Sequence, residues 1–253
     1  MEKLSVVIIT YNEEQNIGRC LESVQWADEI IIVDSFSTDR TIDIARKYTD
    51  KIFQRALDGY GAQKNYAISK ATNTWILALD ADERLTPELS EEILALFRSG
   101  EPAMAAYELP YKVFFGNRWV RHSGWYPEYH IRLFRKDNGR FKERFVHEGV
   151  EVSGPVGRLR HFVEHYTYRS ISDFIQRMDR YSTLSAEAYY KEGRHVSWTE
   201  TVFRAWFTFV QMYFLKRGFL DGALGFQLAI LYSYYTFVKY AKLKELRQTE
   251  KER

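Results

Sequence analysis

Cysteine is nearly missing from this chain: Cys20 is the single one among 253 residues. No internal disulfide can form, and a zinc site of the Cys-rich kind is excluded. The place of Cys20 in an apolar-periodic stretch predicts buried packing. A surplus of one charge is lacking too. The formal net charge is +2, and no basic stripe runs through the first half, which argues against a nucleic-acid partner. The start, Met1-Glu2-Lys3, leads straight into a strand-like run with no charged segment, apolar core and cleavage site. A cytoplasmic location is therefore expected. Also absent are the Gly-rich G-x-G-x-x-G fingerprint after the first strand and the phosphate-binding P-loop pattern, which disfavours an NAD or ATP site of the usual kind. What is present is a chain 45% hydrophobic and 28% charged. That is neither a disordered composition nor too small for one large domain with an appendage.

The first hundred residues alternate between two patterns. Short β-branched runs at Leu4–Thr10, Glu29–Asp34, 51–53 and 75–79 predict strands buried on both faces. Between them, 41–48 and 62–71 read as helices, and another is expected up to about Val24, with Asn12 as its cap and Gln15 in the capping-box position. Thr86-Pro87 opens a further helix, Thr capping and Pro at the first position. This rhythm predicts an α/β fold with an open, mainly parallel sheet covered by helices. Ligands of such sheets bind beyond the carboxyl ends of the strands. Three polar groups fall there: Thr10-Tyr11-Asn12, Asp34-Ser35 and Asp80-Ala81-Asp82.

Residues two apart on a strand share a face, so Asp80 and Asp82 are expected to point into one cleft. Two carboxylates and a diphosphate make an all-oxygen site suited to Mg²⁺ or Mn²⁺. Such an ion neutralises a departing diphosphate. Alone, the triplet could equally be charge exposed at a strand end. Its placement beside Thr10 and Asp34 favours a nucleotide-sugar site.

The order SVVIITYNEE, IIIVDSFSTDRT and GAQKNYAISKATNTWILALDADE resembles the inverting family 2 glycosyltransferases of GT-A fold. Within them, RLFRKDNGRFKERFVHEGVEV and LKRGFLDGALGF are most similar to the small bacterial β-1,4-glucosyltransferases that extend the lipopolysaccharide or lipooligosaccharide inner core, usually from UDP-glucose. The resemblance implies that Thr10, Tyr11 and Glu13 line the nucleoside pocket and that Asp34 hydrogen-bonds uracil or ribose. It implies Lys64 near the nucleotide, Asp80 at the ribose or the metal's hydration shell, and Asp82 as the direct metal ligand. It also makes His165 the candidate that completes the metal site, an imidazole suiting Mn²⁺ better than Mg²⁺.

Inversion needs a base to deprotonate the acceptor hydroxyl, and a carboxylate within hydrogen-bond reach suffices. Glu128 and Glu148 are the candidates. Glu148 resembles the family position of the base, with His147 to orient it; Asp137, in an exposed turn, ranks below both. Between 107 and 152 the chain is rich in Arg and aromatics, among them Trp125 and Arg132. With Glu128 these make a candidate acceptor wall, since rings stack on sugars and Arg pairs with anionic groups.

The expected organisation is a GT-A domain over 1–168, its nucleotide-sugar half at 1–100 and its acceptor half at 101–168, followed by a helical region at 169–253. Residues 171–190 have helical spacing, and 222–238 are uncharged and aromatic. That last run is shorter than the roughly 20 apolar residues a membrane span needs. A helical pair lying in the interface of the inner membrane is favoured over a hairpin that merely packs on the domain. The partners expected are a UDP-sugar donor and a lipid-linked saccharide acceptor. The alternatives are transfer to another surface polysaccharide from a different UDP-sugar, a nucleotidyltransferase, and a non-catalytic membrane adaptor. The loop TYNEEQN lacks the Gly-rich character of the second, and the third leaves the strand-end polar groups unexplained.

Overall fold

A computed structural model describes residues 2–98, 100–142 and 149–251. The chain forms two compact units: Met1–Lys112 with Glu128–His165, and Val113–Pro127 with Tyr166–Arg253.

The first unit is built on parallel strands. β1 (Leu4–Thr10) lies between β2 (Glu29–Asp34) and β4 (Trp75–Asp80), and β3 (Ile52–Gln54) extends the sheet beyond β2. Beyond β4 the direction reverses. β8 (Glu128–Arg135) runs antiparallel to β4 and to β6 (Ala106–Phe115). Next come β12 (Val163–Tyr168) and β5 (Glu83–Leu85), antiparallel to each other, and β11 (Val156–Arg158) runs parallel beside β6. β9 (Gly139–Phe141) and β10 (Val150–Val152) form a separate hairpin. β1, β2 and β4 are buried along nearly their whole length, because helices cover both faces of a parallel sheet. One core joins Val7, Ile31, Ile76 and Phe134 with Ala67 and Ile68 of α3 (Tyr60–Lys70).

The loops depart from expectation at one cap. α1 spans Ile17–Glu22 and begins after Asn16, not at Asn12. Asn12 has left-handed backbone (φ 53°). Its side chain accepts from the Thr38 N–H at 2.8 Å instead of capping. A short amide that can satisfy a neighbouring loop competes with the helix for its own donors. α2 is likewise shorter than its pattern, Thr41–Ala45, while α4 (Pro87–Arg98) starts where Thr86-Pro87 predicts, the Thr86 hydroxyl accepting from Leu89 N–H.

In the second unit, β7 (Arg118–Trp119) pairs with the end of β6. α5 (Ile171–Lys191) and α6 (Trp198–Val210) are capped by Ser170 and Ser197, each accepting from the N–H three residues on. α6 continues as a π-helical turn over Gln211–Leu215, the chain reverses through Gly218–Asp221, and α7 (Ala223–Lys251) returns. A methyl group on Gly225 would lie 1.8 Å from the Gly218 carbonyl oxygen, so bare backbone closes this reversal. Phe174, Met178, Met212, Leu224 and Leu228 form the core. Among the described residues no helix is long and apolar enough to cross a membrane.

Candidate functional site

The register brings the three strand-end groups side by side. Thr10 is opposite Asp34, and Ile9 is opposite Asp80. The loops that follow β1 and β2 are laced together. The Asn12, Glu13 and Glu14 N–H groups donate to Ser37 Oγ, Thr41 Oγ1 and Asp39 at 2.8, 2.8 and 3.1 Å, and Ser35 N–H donates to the Thr10 carbonyl at 2.9 Å. Asp34 is fully buried and holds this lacing. Its carboxylate accepts from Ser37 N–H at 2.9 Å, from Gln54 at 3.3 Å and from the Ser37 hydroxyl. Tyr11, the residue after Thr10, is about half exposed. The Thr10 hydroxyl is buried and finds no partner among the described residues. Glu13 accepts from the Asn16 side chain at 2.7 Å.

Charge concentrates at the end of β4. Lys64, on α3 and almost fully buried, bonds the two Asp80 oxygens at 2.9 and 3.1 Å. Arg132 reaches the same carboxylate from β8, with one Nη 3.1 Å from Asp80 and 3.1 Å from Glu83. Glu83 is wholly buried; its second oxygen accepts from the Asp80 N–H at 3.0 Å. The Arg132 Nε donates to the Tyr111 hydroxyl at 2.9 Å. Two cations and two carboxylates thus neutralise one another where only the Asp80 carboxylate keeps substantial access to water, which is how buried charge is tolerated. Burial alone would raise the Asp80 carboxyl pKa, but Lys64 and Arg132 hold it well below the usual carboxylate range. Burial would weaken the Arg132 cation, but Glu83 and its other partners more than restore it.

Asp82 faces a different neighbour. His165 on β12 is opposite Glu83 in the strand register, and its Nε2 lies 3.5 Å from an Asp82 oxygen. Burial pulls the imidazole pKa down, but the Asp82 carboxylate outweighs it and lifts the value to about 9. The imidazole is therefore protonated at neutral pH. Among the described residues no cluster of three or more His, Cys, Asp and Glu side chains is arranged to hold a metal. The Asp82–His165 pair nevertheless fits a shared ion, one oxygen and one nitrogen donor whose remaining ligands would come from a diphosphate and water. Asp80, engaged by two cations, has less to offer such an ion.

Glu128 and His130 alternate along β8 and so share a face, and the pairing with β6 is interrupted by a bulge just beyond them, at Arg132. His130 Nε2 bonds Glu128 at 2.8 Å, and its ring meets Tyr111 edge-on at 4.8 Å. That hydrogen bond, opposed by burial, lowers the Glu128 pKa, leaving a carboxylate ionised at neutral pH. Glu148 and its neighbour His147 lie outside the described residues. Trp125 belongs to the second unit, where its ring packs against Tyr168 and Tyr232.

The structure therefore joins Lys64, Asp80, Asp82, Arg132 and His165 in one cluster. It adds Glu83, Tyr111 and His130, which sequence reasoning passed over. A period-two reading from Glu128 through Arg132 would have found His130. Glu83 directly follows the acidic triplet, but its burial depends on a cation from a distant strand.

Comparison with known proteins converges. Residues 5–166 match the model of glycosyl transferase family 2. An uncharacterized glycosyltransferase of Rickettsia typhi is 31% identical over 259 residues, spanning 97% of this chain and 88% of its own. The lipopolysaccharide core biosynthesis glycosyltransferase LpsC of Rhizobium meliloti is 30% identical over 253 residues, spanning 95% of this chain and 91% of its own. The crystal structure of S. aureus TarS 1–349 in complex with UDP superposes with a TM-score of 0.47 at 19% identity, covering 98% of this chain and 92% of that one.

Proposed function

The chain belongs to glycosyl transferase family 2, and from that premise we propose that it transfers a hexose, glucose from UDP-glucose, onto a lipid-linked saccharide such as the lipopolysaccharide inner core. The observation that carries the donor side is the cluster at the end of β4. Lys64 and Arg132 place two positive charges beside Asp80, at the strand ends where ligands of such sheets bind. The relative LpsC supports the acceptor class, since its name places it in lipopolysaccharide core biosynthesis.

In this reading the nucleotide-sugar half at 1–100 holds the donor and the half at 101–168 receives the acceptor. Tyr11 offers an aromatic face for the nucleobase, Thr10 and Glu13 line the same pocket, and Asp34 acts by holding the 35–38 turn in place. Asp80, fixed by its two cations, turns toward the ribose. Asp82, with His165, would hold a divalent ion, Mn²⁺ suiting the nitrogen donor better than Mg²⁺. When bound, the ion supplies charge neutralisation for the departing diphosphate. Lys64 and Arg132, matched in charge by Asp80 and Glu83, fix the Asp80 carboxylate in place before the donor arrives.

Transfer then proceeds by a single displacement. The acceptor hydroxyl attacks the anomeric carbon as its proton passes to a carboxylate, the bond to the diphosphate oxygen breaks, and the configuration inverts. Glu148 is assigned as that base, with His147 beside it. Glu128, ionised and bonded to His130, is next in line.

The test is a panel of nucleotide sugars scored by release of the nucleoside diphosphate, with and without a lipooligosaccharide acceptor. UDP-glucose should be consumed faster than UDP-galactose or UDP-N-acetylglucosamine, and acceptor should accelerate it. Preference for another UDP-sugar would revise the sugar alone; indifference to every UDP-sugar would overturn the donor assignment. Glu148→Gln should keep donor binding and lose transfer.

A further inference from the structure

Soluble units rarely leave many large apolar side chains in water on one face, yet the α6–α7 hairpin does so along its length. Phe203 on α6 is 59% exposed, Leu215 in the π-helical turn 65%, and Leu220 in the reversal 55%. On α7, Phe226, Ile230 and Tyr234 follow at helical spacing on a single stripe and are each about half exposed. Ring contacts join the two helices into one surface: Trp198 lies 6.4 Å from Phe237 at one end, and Phe209 lies 5.9 Å from Phe226 toward the other. The opposite face of the pair carries the core, with Ala205, Met212, Leu224 and Leu228 buried.

We propose that this face docks on an anionic bilayer leaflet, the hairpin lying in the headgroup layer and not crossing it. Charge decides the occupant. Asp221 is the one acidic residue between 201 and 244, against six basic ones; Arg204 and Lys242 are paired with Glu200 and Asp179, which leaves the surplus to Lys216, Arg217, Lys239 and Lys244. Asp221 is itself engaged by the His122 N–H and imidazole at 2.8 and 2.9 Å. Lys216 and Arg217 are exposed, directly after Leu215 and just before Phe219 and Leu220. They sit where a helix inserted at the interface meets phosphate. A second copy of the chain would set this same positive surplus against itself. A surface position agrees, since among the described residues no helix is long and apolar enough to cross a membrane.

The docking face is tied to a loop. The His122 bonds to Asp221, and a bond from Ser123 N–H to the Lys216 carbonyl at 2.9 Å, hold residues 121–125 on the tip of the hairpin. A leaflet that fixes the hairpin thereby fixes Trp125 and its neighbours. The inference extends the lipid-linked acceptor reading, but its test uses no sugar, so either can fail alone.

The experiment is co-sedimentation with phosphatidylcholine vesicles, with and without phosphatidylglycerol, at low salt, together with quenching of tryptophan fluorescence by brominated acyl chains. Wild-type protein should bind the anionic vesicles and be quenched, through the exposed Trp198 and Trp206. Phe203→Glu with Leu215→Glu should weaken binding by at least about tenfold while the far-ultraviolet spectrum and the thermal unfolding midpoint stay unchanged. Lys216→Glu with Arg217→Glu should remove the preference for phosphatidylglycerol. Absence of binding, binding without quenching, or a dimer in sedimentation velocity that the Phe203/Leu215 variant dissolves would each overturn the proposal.

Discussion

Replacing Arg132 with Met strips the cation from a carboxylate that has no access to water. Glu83 is wholly buried, and the Arg132 guanidinium is its cationic partner at 3.1 Å. Removing one member of a buried pair costs about 3–5 kcal/mol, because the remaining charge stays desolvated. Asp80 is cushioned, since Lys64 still bonds it, so the loss is assigned mainly to Glu83. The companion change Glu83→Gln removes that stranded charge and keeps an oxygen for the Asp80 N–H. The double variant should therefore recover about 2 kcal/mol of what Arg132→Met alone loses, a coupling of the size found for residues in one network. Cys20 supplies the assay. It is the single cysteine, fully buried in the first unit, and burial raises its thiol pKa well above the ordinary value. Pulsed thiol labelling across a urea series then reads the opening of this unit independently of the helical one. A loss below about 1 kcal/mol for Arg132→Met, or a double variant no more stable than the sum of the singles, would refute the buried-network reasoning.

The remaining predictions concern protons. Glu29 accepts from Thr72 N–H and hydroxyl at 2.8 and 2.9 Å and from Ser5 and Lys51; burial opposes these bonds, yet they lower its pKa to about 2. A folded-state pKa below the unfolded one gives stability that is full above about 4.5 and lost as pH falls through about 2. Glu29→Gln should thus cost about 3 kcal/mol at neutral pH, and the difference from wild type in urea titrations should shrink steadily below pH 4. His165 has the opposite sign. Its pKa, raised from 6.5 to about 9, gives the metal-free protein stability that is full below 6.5 and lost as pH rises through about 9. A cation binding at Asp82 and His165 must displace that proton, so Mn²⁺ affinity measured by calorimetry should rise with pH up to about 9, and His165→Gln should flatten the profile.

Much of the N-terminal half is legible in the sequence, for a physical reason. β1, β2 and β4 are buried on both faces, so their β-branched runs stand out, and a parallel sheet puts its polar strand ends where a ligand sits. The partners of those ends are less legible. Arg132 reads as an acceptor-wall residue among many aromatics and arginines, and only the folded neighbourhood of β8 and β4 shows its side chain bonded to Asp80. Glu83 reads as surface charge until the fold brings the Arg132 guanidinium within 3.1 Å of it. The α1 start is misplaced because the Asn12 side chain satisfies Thr38 in place of a helix end. Pattern sees along a strand; which charges meet across it depends on register, and strand order is set by the whole fold.

The central claim is that Asp82 supports donor binding through a divalent ion, and calorimetric titration of UDP into the wild-type protein and Asp82→Ala, each with Mn²⁺ and with EDTA, tests it most directly. The account predicts tight binding by wild type with Mn²⁺, a loss of at least about tenfold with EDTA, and an Asp82→Ala variant that binds weakly and equally in both. UDP bound as tightly by Asp82→Ala as by wild type, or by wild type regardless of EDTA, would contradict it.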